Sequence, residues 1–155
     1  MIGAAFLVFA GEARGQSEAE TASLERIAKL EIVVDPLQGP AAEVGVTASD
    51  LRSIIDARLR QDGVPVADFA VAFLTLDVTA IPLEVGPDIV LLTSLSFFQP
   101  TASTLNRWLG PARTWSLERL TVAGMSRAGE TLRGDAEHLA EAFAASWRAA
   151  NPPLE

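Results

Sequence analysis

Three apolar runs follow one another in the middle of the chain: Phe69–Thr79 (FAVAFLTLDVT), Asp88–Gln99 (DIVLLTSLSFFQ) and Arg113–Ala123 (RTWSLERLTVA). Runs of this length and composition, bounded by breakers, form strands. Pro82, Gly86 and Pro87 punctuate the first connection, a hairpin loop over Ile81–Pro87. Pro100–Pro111, which contains Trp108, reads as a longer second connection. Strands this close in sequence pair with their neighbours as a meander. The runs also constrain the cover they need. On Phe69–Leu76 one side carries Phe69, Val71 and Phe73, and the other carries Ala70, Ala72, Leu74 and Leu76. Ile89–Leu92 is again apolar on both sides. A strand with one wet face alternates apolar and polar residues, and these do not over half their length.

The flanking segments complete the pattern. Lys29–Asp35 alternates and is β-branched, so it predicts a strand that ends at Pro36. Gln38-Gly39-Pro40 predicts a turn. Thr47-Ala48-Ser49-Asp50 has the form of a capping box. Leu51, Ile54, Ile55 and Leu59 then keep helical spacing until Gly63 and Pro65. A last helix is expected over Thr131–Ala150, with Leu132, Ala136, Leu139, Phe143 and Trp147 on one face. The order is β-α-β-β-β-α. It predicts an α+β fold, a four-stranded mixed sheet with two helices packed on one face. Two helices cannot cover both faces, so part of the second face falls to a second copy, the Trp108 loop or a partner. An uncovered patch of that kind, on the order of a few hundred Å², marks an interaction site.

With 155 residues, one domain is expected, and it buries roughly 70% of its unfolded surface. Met1–Ala10 is an uncharged apolar run, too short to span a bilayer and of the length of a signal-peptide core. Ala10 and Ala13 are candidate cleavage positions, although the first basic residue is Arg14. The expected organisation is a signal-peptide-like segment at 1–13, a flexible tether at 14–28 and a single α+β domain at 29–152. Export, to the periplasm or beyond, follows from the leader, and no later stretch is apolar enough for a membrane span. The net charge of −8 repels phosphate backbones and argues against nucleic acid. The absence of Cys removes disulfides, thiol nucleophiles and Cys-ligated zinc.

No catalytic constellation stands out, and no cofactor is implied. His138 is the single His, flanked by Asp135 and Glu141 but off the apolar stripe of the last helix, so a solvated face is expected there. Gly124–Gly129 (GMSRAG) departs from the nucleophile-elbow spacing G-x-S-x-G. The glycines are too far apart for a phosphate cradle. Glu84 and Asp88 flank a loop and keep it wet. Asp77, inside an apolar strand, marks a wet edge or end of the sheet or pairs with an Arg such as Arg119 across strands, the pairing being the default expectation. Trp115 and Trp147 read as core. Trp108 lies beside Arg107 in the loop bounded by proline and glycine, and both residue types are enriched at interface hot spots. The candidate protein-interface residues are Trp108, Arg107, Leu74 and Leu76.

Leu30–Val34 leads into Asp35-Pro36-Leu37, and Gly45-Val46-Thr47, Arg58-Leu59-Arg60, Gly63-Val64-Pro65, Thr114-Trp115, Phe143 and Asn151-Pro152 follow. In this order they resemble a family of exported bacterial α+β proteins of unknown function. The resemblance implies export and an α+β domain and carries no catalytic residues. The family's strands commonly contain Tyr, which this chain lacks. More distantly, the strand, the helix ending in Gly-Val-Pro-Val and the next strand look like small envelope domains that pair subunits. The expected function is a non-enzymatic exported protein-binding domain, as an accessory or structural subunit of an envelope assembly or as a homo-oligomer. The alternative is a carrier holding an apolar small molecule between sheet and helices, lined by residues such as Phe73, Leu92 and Phe143.

Overall fold

The computed structural model describes residues 17–153, so the expected leader at 1–13 lies outside the described residues. The chain forms α1 (Glu18–Ala22), β1 (Glu31–Val34), α2 (Ala48–Gln61), β2 (Phe73–Pro82), β3 (Asp88–Ala102), β4 (Leu109–Gly124) and α3 (Ala128–Ala150), with short 3-10 turns at Gly39–Glu43 and Met125–Arg127. The sheet order is β1-β2-β3-β4. β1 runs parallel to β2, and β2, β3 and β4 form an antiparallel meander. This is the expected α+β fold, with α2 and α3 side by side on one face of a mixed sheet.

Local chemistry starts and stops α2. The Thr47 hydroxyl accepts from the Asp50 N–H (3.1 Å), and the Asp50 carboxylate accepts from the Thr47 N–H (2.9 Å). Two free backbone donors are thereby satisfied at the N-terminus. Arg58 and Arg60 sit in the last turn, where cations complement the helix dipole. Gly63 then takes a left-handed φ of +78°. Leu51, Ile55 and Leu59 are buried. On α3 the buried stripe runs through Leu132, Ala136, Leu139 and Phe143. Phe143 meets Trp115 edge-on at 5.0 Å and Phe97 at 5.7 Å, closing the core between α3 and the sheet. α3 begins before the expected Thr131. Its first turn holds Gly129, where a β-carbon would overlap the Val44 carbonyl oxygen.

Two strand boundaries also differ from expectation, each for a reason of pairing. β2 starts at Phe73 rather than Phe69. Leu30 bridges Val66 and the next residue, Glu31, pairs with Phe73, so the residues between must loop out, leaving Phe69 and Val71 exposed. Pro100–Pro111 is not one long loop. Pro100 and Pro111 sit opposite each other in an extended β3–β4 hairpin. Both prolines are tolerated because the first residue of β2, Phe73, lies opposite Phe98 and nothing of β2 reaches further. Past that point each strand has one neighbour, and a missing N–H disrupts no second ladder.

The third difference is in the expected tether. Ser17 caps α1 with a capping box, and Leu24 is fully buried. The Ser23 hydroxyl donates to the Thr114 carbonyl (3.1 Å), and Gln99 Nε2 donates to the Ser23 carbonyl (2.8 Å). Asn151 clamps the following turn, accepting from the Arg26 N–H and donating to the Leu24 carbonyl, both at 2.9 Å. The segment from Ser17 onward is part of the domain. Its polar, small-residue composition conceals one anchoring leucine.

Candidate functional site

The register assigns every strand residue to a face. Leu74 pairs with Phe97, Leu76 with Leu95 and Ala80 with Leu91 on β3. Phe97 pairs with Trp115, and Leu95 with Leu117, on β4. These residues face α2 and α3. Leu74 and Leu76, expected on the outer face, are 0% and 2% exposed and belong to the core. Strand periodicity separates the two faces but does not say which one the helices take, and here they take the leucine face.

No described element covers the opposite face. Ile81 on β2 and Leu120 and Val122 on β4 are each more than half exposed, with Leu92 of β3 between them. At the other end Phe73 and Phe98 stack at 5.2 Å with their planes nearly parallel. Thr75, Ser94 and Ser96 occupy the middle. Asp77 is exposed on this face opposite Ser94. Arg119 points to the covered side, where it meets Asp135 at 2.6 Å. The expected Asp77–Arg119 pair therefore does not form, because the two residues lie on opposite faces of the sheet.

The edge of β4 is less available than this face. A bulge falls between Phe97 and Phe98, where Trp115 and Arg113 are the successive partners and Thr114 is the extra residue. Thr114 is tied to Ser23 and Gln99. Charged side chains and bulges both discourage strand addition at an edge, and this edge carries Arg113, Glu118 and Arg119 as well as the bulge.

Arg107 and Trp108 sit at the tip of the β3–β4 hairpin. The Ser103 N–H donates to the Trp108 carbonyl (2.8 Å), the Arg107 N–H donates to the Ser103 carbonyl (3.0 Å), and the Trp108 N–H donates to Asn106 Oδ1 (3.1 Å). Arg107 takes the left-handed φ of +57° that closes the turn. The Trp108 ring lies over Gly110, in the space a β-carbon there would fill. Gly110 pairs with Thr101, two residues past Gln99 and four past the inward-facing Phe97. The ring therefore folds onto the helix-side surface of the hairpin and does not cover the open face.

Beneath the sheet, Thr93, Arg119, Thr121 and Asp135 form one polar layer. The Thr121 hydroxyl donates to Asp135 Oδ2 at 2.7 Å. Burial pushes the Asp135 carboxyl above the usual carboxylate range, opposed by the Thr121 hydrogen bond and by Arg119. Thr93 is buried, and its hydroxyl has no hydrogen-bond partner among the described residues. The layer links α3 to β3 and β4 and brings no nucleophile against a base. His138 is exposed on α3. Among the described residues no acidic or His cluster could hold a metal ion.

A recess of about 440 Å³ lies between α1 and the end of α3, lined by Glu18, Thr21, Glu25, Ala149 and Pro152 among others. A second, of about 260 Å³, lies outside α2 beside Arg52, Asp56 and Asp68. Neither opens between sheet and helices. The pocket expected for a carried ligand does not assemble, because Phe73 and Leu92 are on the open face while Phe143 is buried on the other.

The site is thus a surface and not a cleft, on a sheet with helices on one side. No family model matches the chain, and no curated protein does. Among solved structures, the PelC dodecamer from Paraburkholderia phytofirmans is similar at 14% identity and a TM-score of 0.45, over 74% of this chain and 85% of that one. A minor lipoprotein from Acinetobacter baumannii is similar at 14% identity and a TM-score of 0.44, over 78% of this chain and 90% of that one. Likenesses at this level assign no role to any residue here.

The sequence missed Ile81, Leu120 and Val122 as surface residues. The alternation of Leu120 and Val122 with polar neighbours is a visible signal, but the side they take needs the register. Leu105 was missed because an isolated leucine in a loop has no pattern.

Proposed function

We propose that this chain is a non-enzymatic, exported protein-binding domain that assembles with further copies of itself through the open face of its sheet. One observation carries the reading: the same strands bury Leu74, Leu76, Leu91, Leu95 and Phe97 on one face and leave Ile81, Leu92, Leu120 and Val122 exposed on the other. Sheet faces pack about 10 Å apart in a sandwich, and exposed apolar side chains gathered at one end of a face, as Ile81, Leu92, Leu120 and Val122 are here, favour such packing.

The test is the native mass of the protein, purified gently from the cells that produce it, against that of Leu120→Asp. Assembly of the parent above one 16.4 kDa chain, lost in Leu120→Asp with the fold intact, supports the reading. A parent that stays at one chain at micromolar concentration sinks it.

A further inference from the structure

The charge map of the molecule is uneven. The chain carries a net −8, yet no Asp or Glu occurs between Asp88 and Glu118, the span that makes nearly the whole β3–β4 hairpin. Its charged residues are Arg107 and Arg113, and neither has an ion-pair partner among the described residues. Past Phe98 the hairpin has lost β2 as a neighbour. It runs on through Ala102, a reach of about 13 Å at the usual strand rise. The turn at its end is closed by its own hydrogen bonds. It presents Leu105, 97% exposed, beside Trp108, 51% exposed, and Leu109. Phe69 and Val71, looped out before β2, are exposed at the same end of the sheet.

We infer that this tip is a membrane-surface anchor, inserting Leu105, Trp108 and Leu109 into the interfacial layer of a bilayer while Arg107 and Arg113 meet anionic lipid headgroups. A Trp at the junction of apolar and polar surroundings suits the headgroup level, where its ring is apolar and its N–H is wet. Cations near an anionic surface add attraction that salt screens. The size of the tip favours lipid over protein. A six-residue turn cannot offer the roughly 800 Å² per partner of a specific protein interface, whereas interfacial insertion needs only a few apolar side chains. The anchor is separate from the open face, so the assembly reading can fail without it.

The full chain is titrated with phosphatidylcholine vesicles, with and without phosphatidylglycerol, carrying acyl chains brominated near the headgroup. Trp115 is buried and Trp147 half-buried, so quenching that disappears in Trp108→Phe reports the tip alone, whatever residues 1–16 do. Quenching of Trp108 by the anionic vesicles is expected. It should weaken about tenfold or more in Leu105→Asp, the factor that one leucine's transfer implies. Arg107→Asn, which keeps a residue tolerant of positive φ, should remove part of the preference for phosphatidylglycerol. Absence of Trp108 quenching on anionic vesicles overturns the anchor. A Leu105→Asp variant that loses native mass while its vesicle titration is unchanged also overturns it, in favour of a protein contact.

Discussion

The two faces of the sheet are built from the same strands, yet they have opposite fates. On one, Leu74, Leu76, Leu91, Leu95 and Phe97 are sealed beneath α2 and α3. On the other, Ile81, Leu92, Leu120 and Val122 remain uncovered. The open face is polar across its middle, at Asp77, Ser94 and Glu118, but its apolar end carries the same aliphatic side chains as the covered face. The difference lies in the helices, which have one apolar stripe each and so cover one layer. Burial of the first face drives folding of the chain. Apolar area left on the second is available to drive association.

Substitutions can break or sharpen this contrast. Phe143 touches both Trp115 and Phe97, and Phe143→Ala should cost about 4 kcal/mol of unfolding free energy, the usual price of an aromatic core deletion. Denaturant midpoints check it, and a loss below about 1 kcal/mol would mean that the covered face is not the folding core. Leu24 tests whether the segment before β1 belongs to that core. Leu24→Ala should cost about 3 kcal/mol. A free tether would show no loss.

Asp135 probes the covered face by pH. Its carboxyl is raised by burial, so above the ordinary carboxylate range the folded chain holds a proton that the unfolded chain releases. Stability from this group is therefore full at low pH and declines as pH rises through the raised folded value. Asp135→Asn should flatten that part of a stability profile measured from acid to neutral pH. An unchanged profile would show that the Arg119 pairing already cancels the burial.

The smallest effect belongs to the open face. Leu120→Ser should move the stability of the dissociated chain by no more than about 0.5 kcal/mol, while lowering native mass. A loss of several times that in dilute monomer would show that something in the chain covers Leu120.

Much of the fold was legible locally. The capping box at Thr47–Asp50, the glycine after α2, the spacing of Leu132, Ala136, Leu139 and Phe143 and most of each strand run are signals between near neighbours, and the structure keeps them. The candidate surface was legible by half. Two-sided apolar strands announce that one face needs cover, and the sequence places Trp108 in an exposed connection, which the structure makes the tip of a hairpin. Leu74 and Leu76 were placed on the wrong side, because alternation is symmetric with respect to the two faces.

By itself, the sequence determined the order β-α-β-β-β-α of the elements after α1, since caps, breakers and hydrophobic period act within a few residues along the chain. It also determined the charge map that leaves Ile89–Leu117 without a carboxylate. Only the tertiary structure decided which face the helices cover, that Arg119 meets Asp135 rather than Asp77, that Pro100 and Pro111 face each other in a hairpin, and that Leu24 docks. Each of these rests on strand register or on contacts between residues far apart in sequence. Their free energy appears only when the layers close on one another.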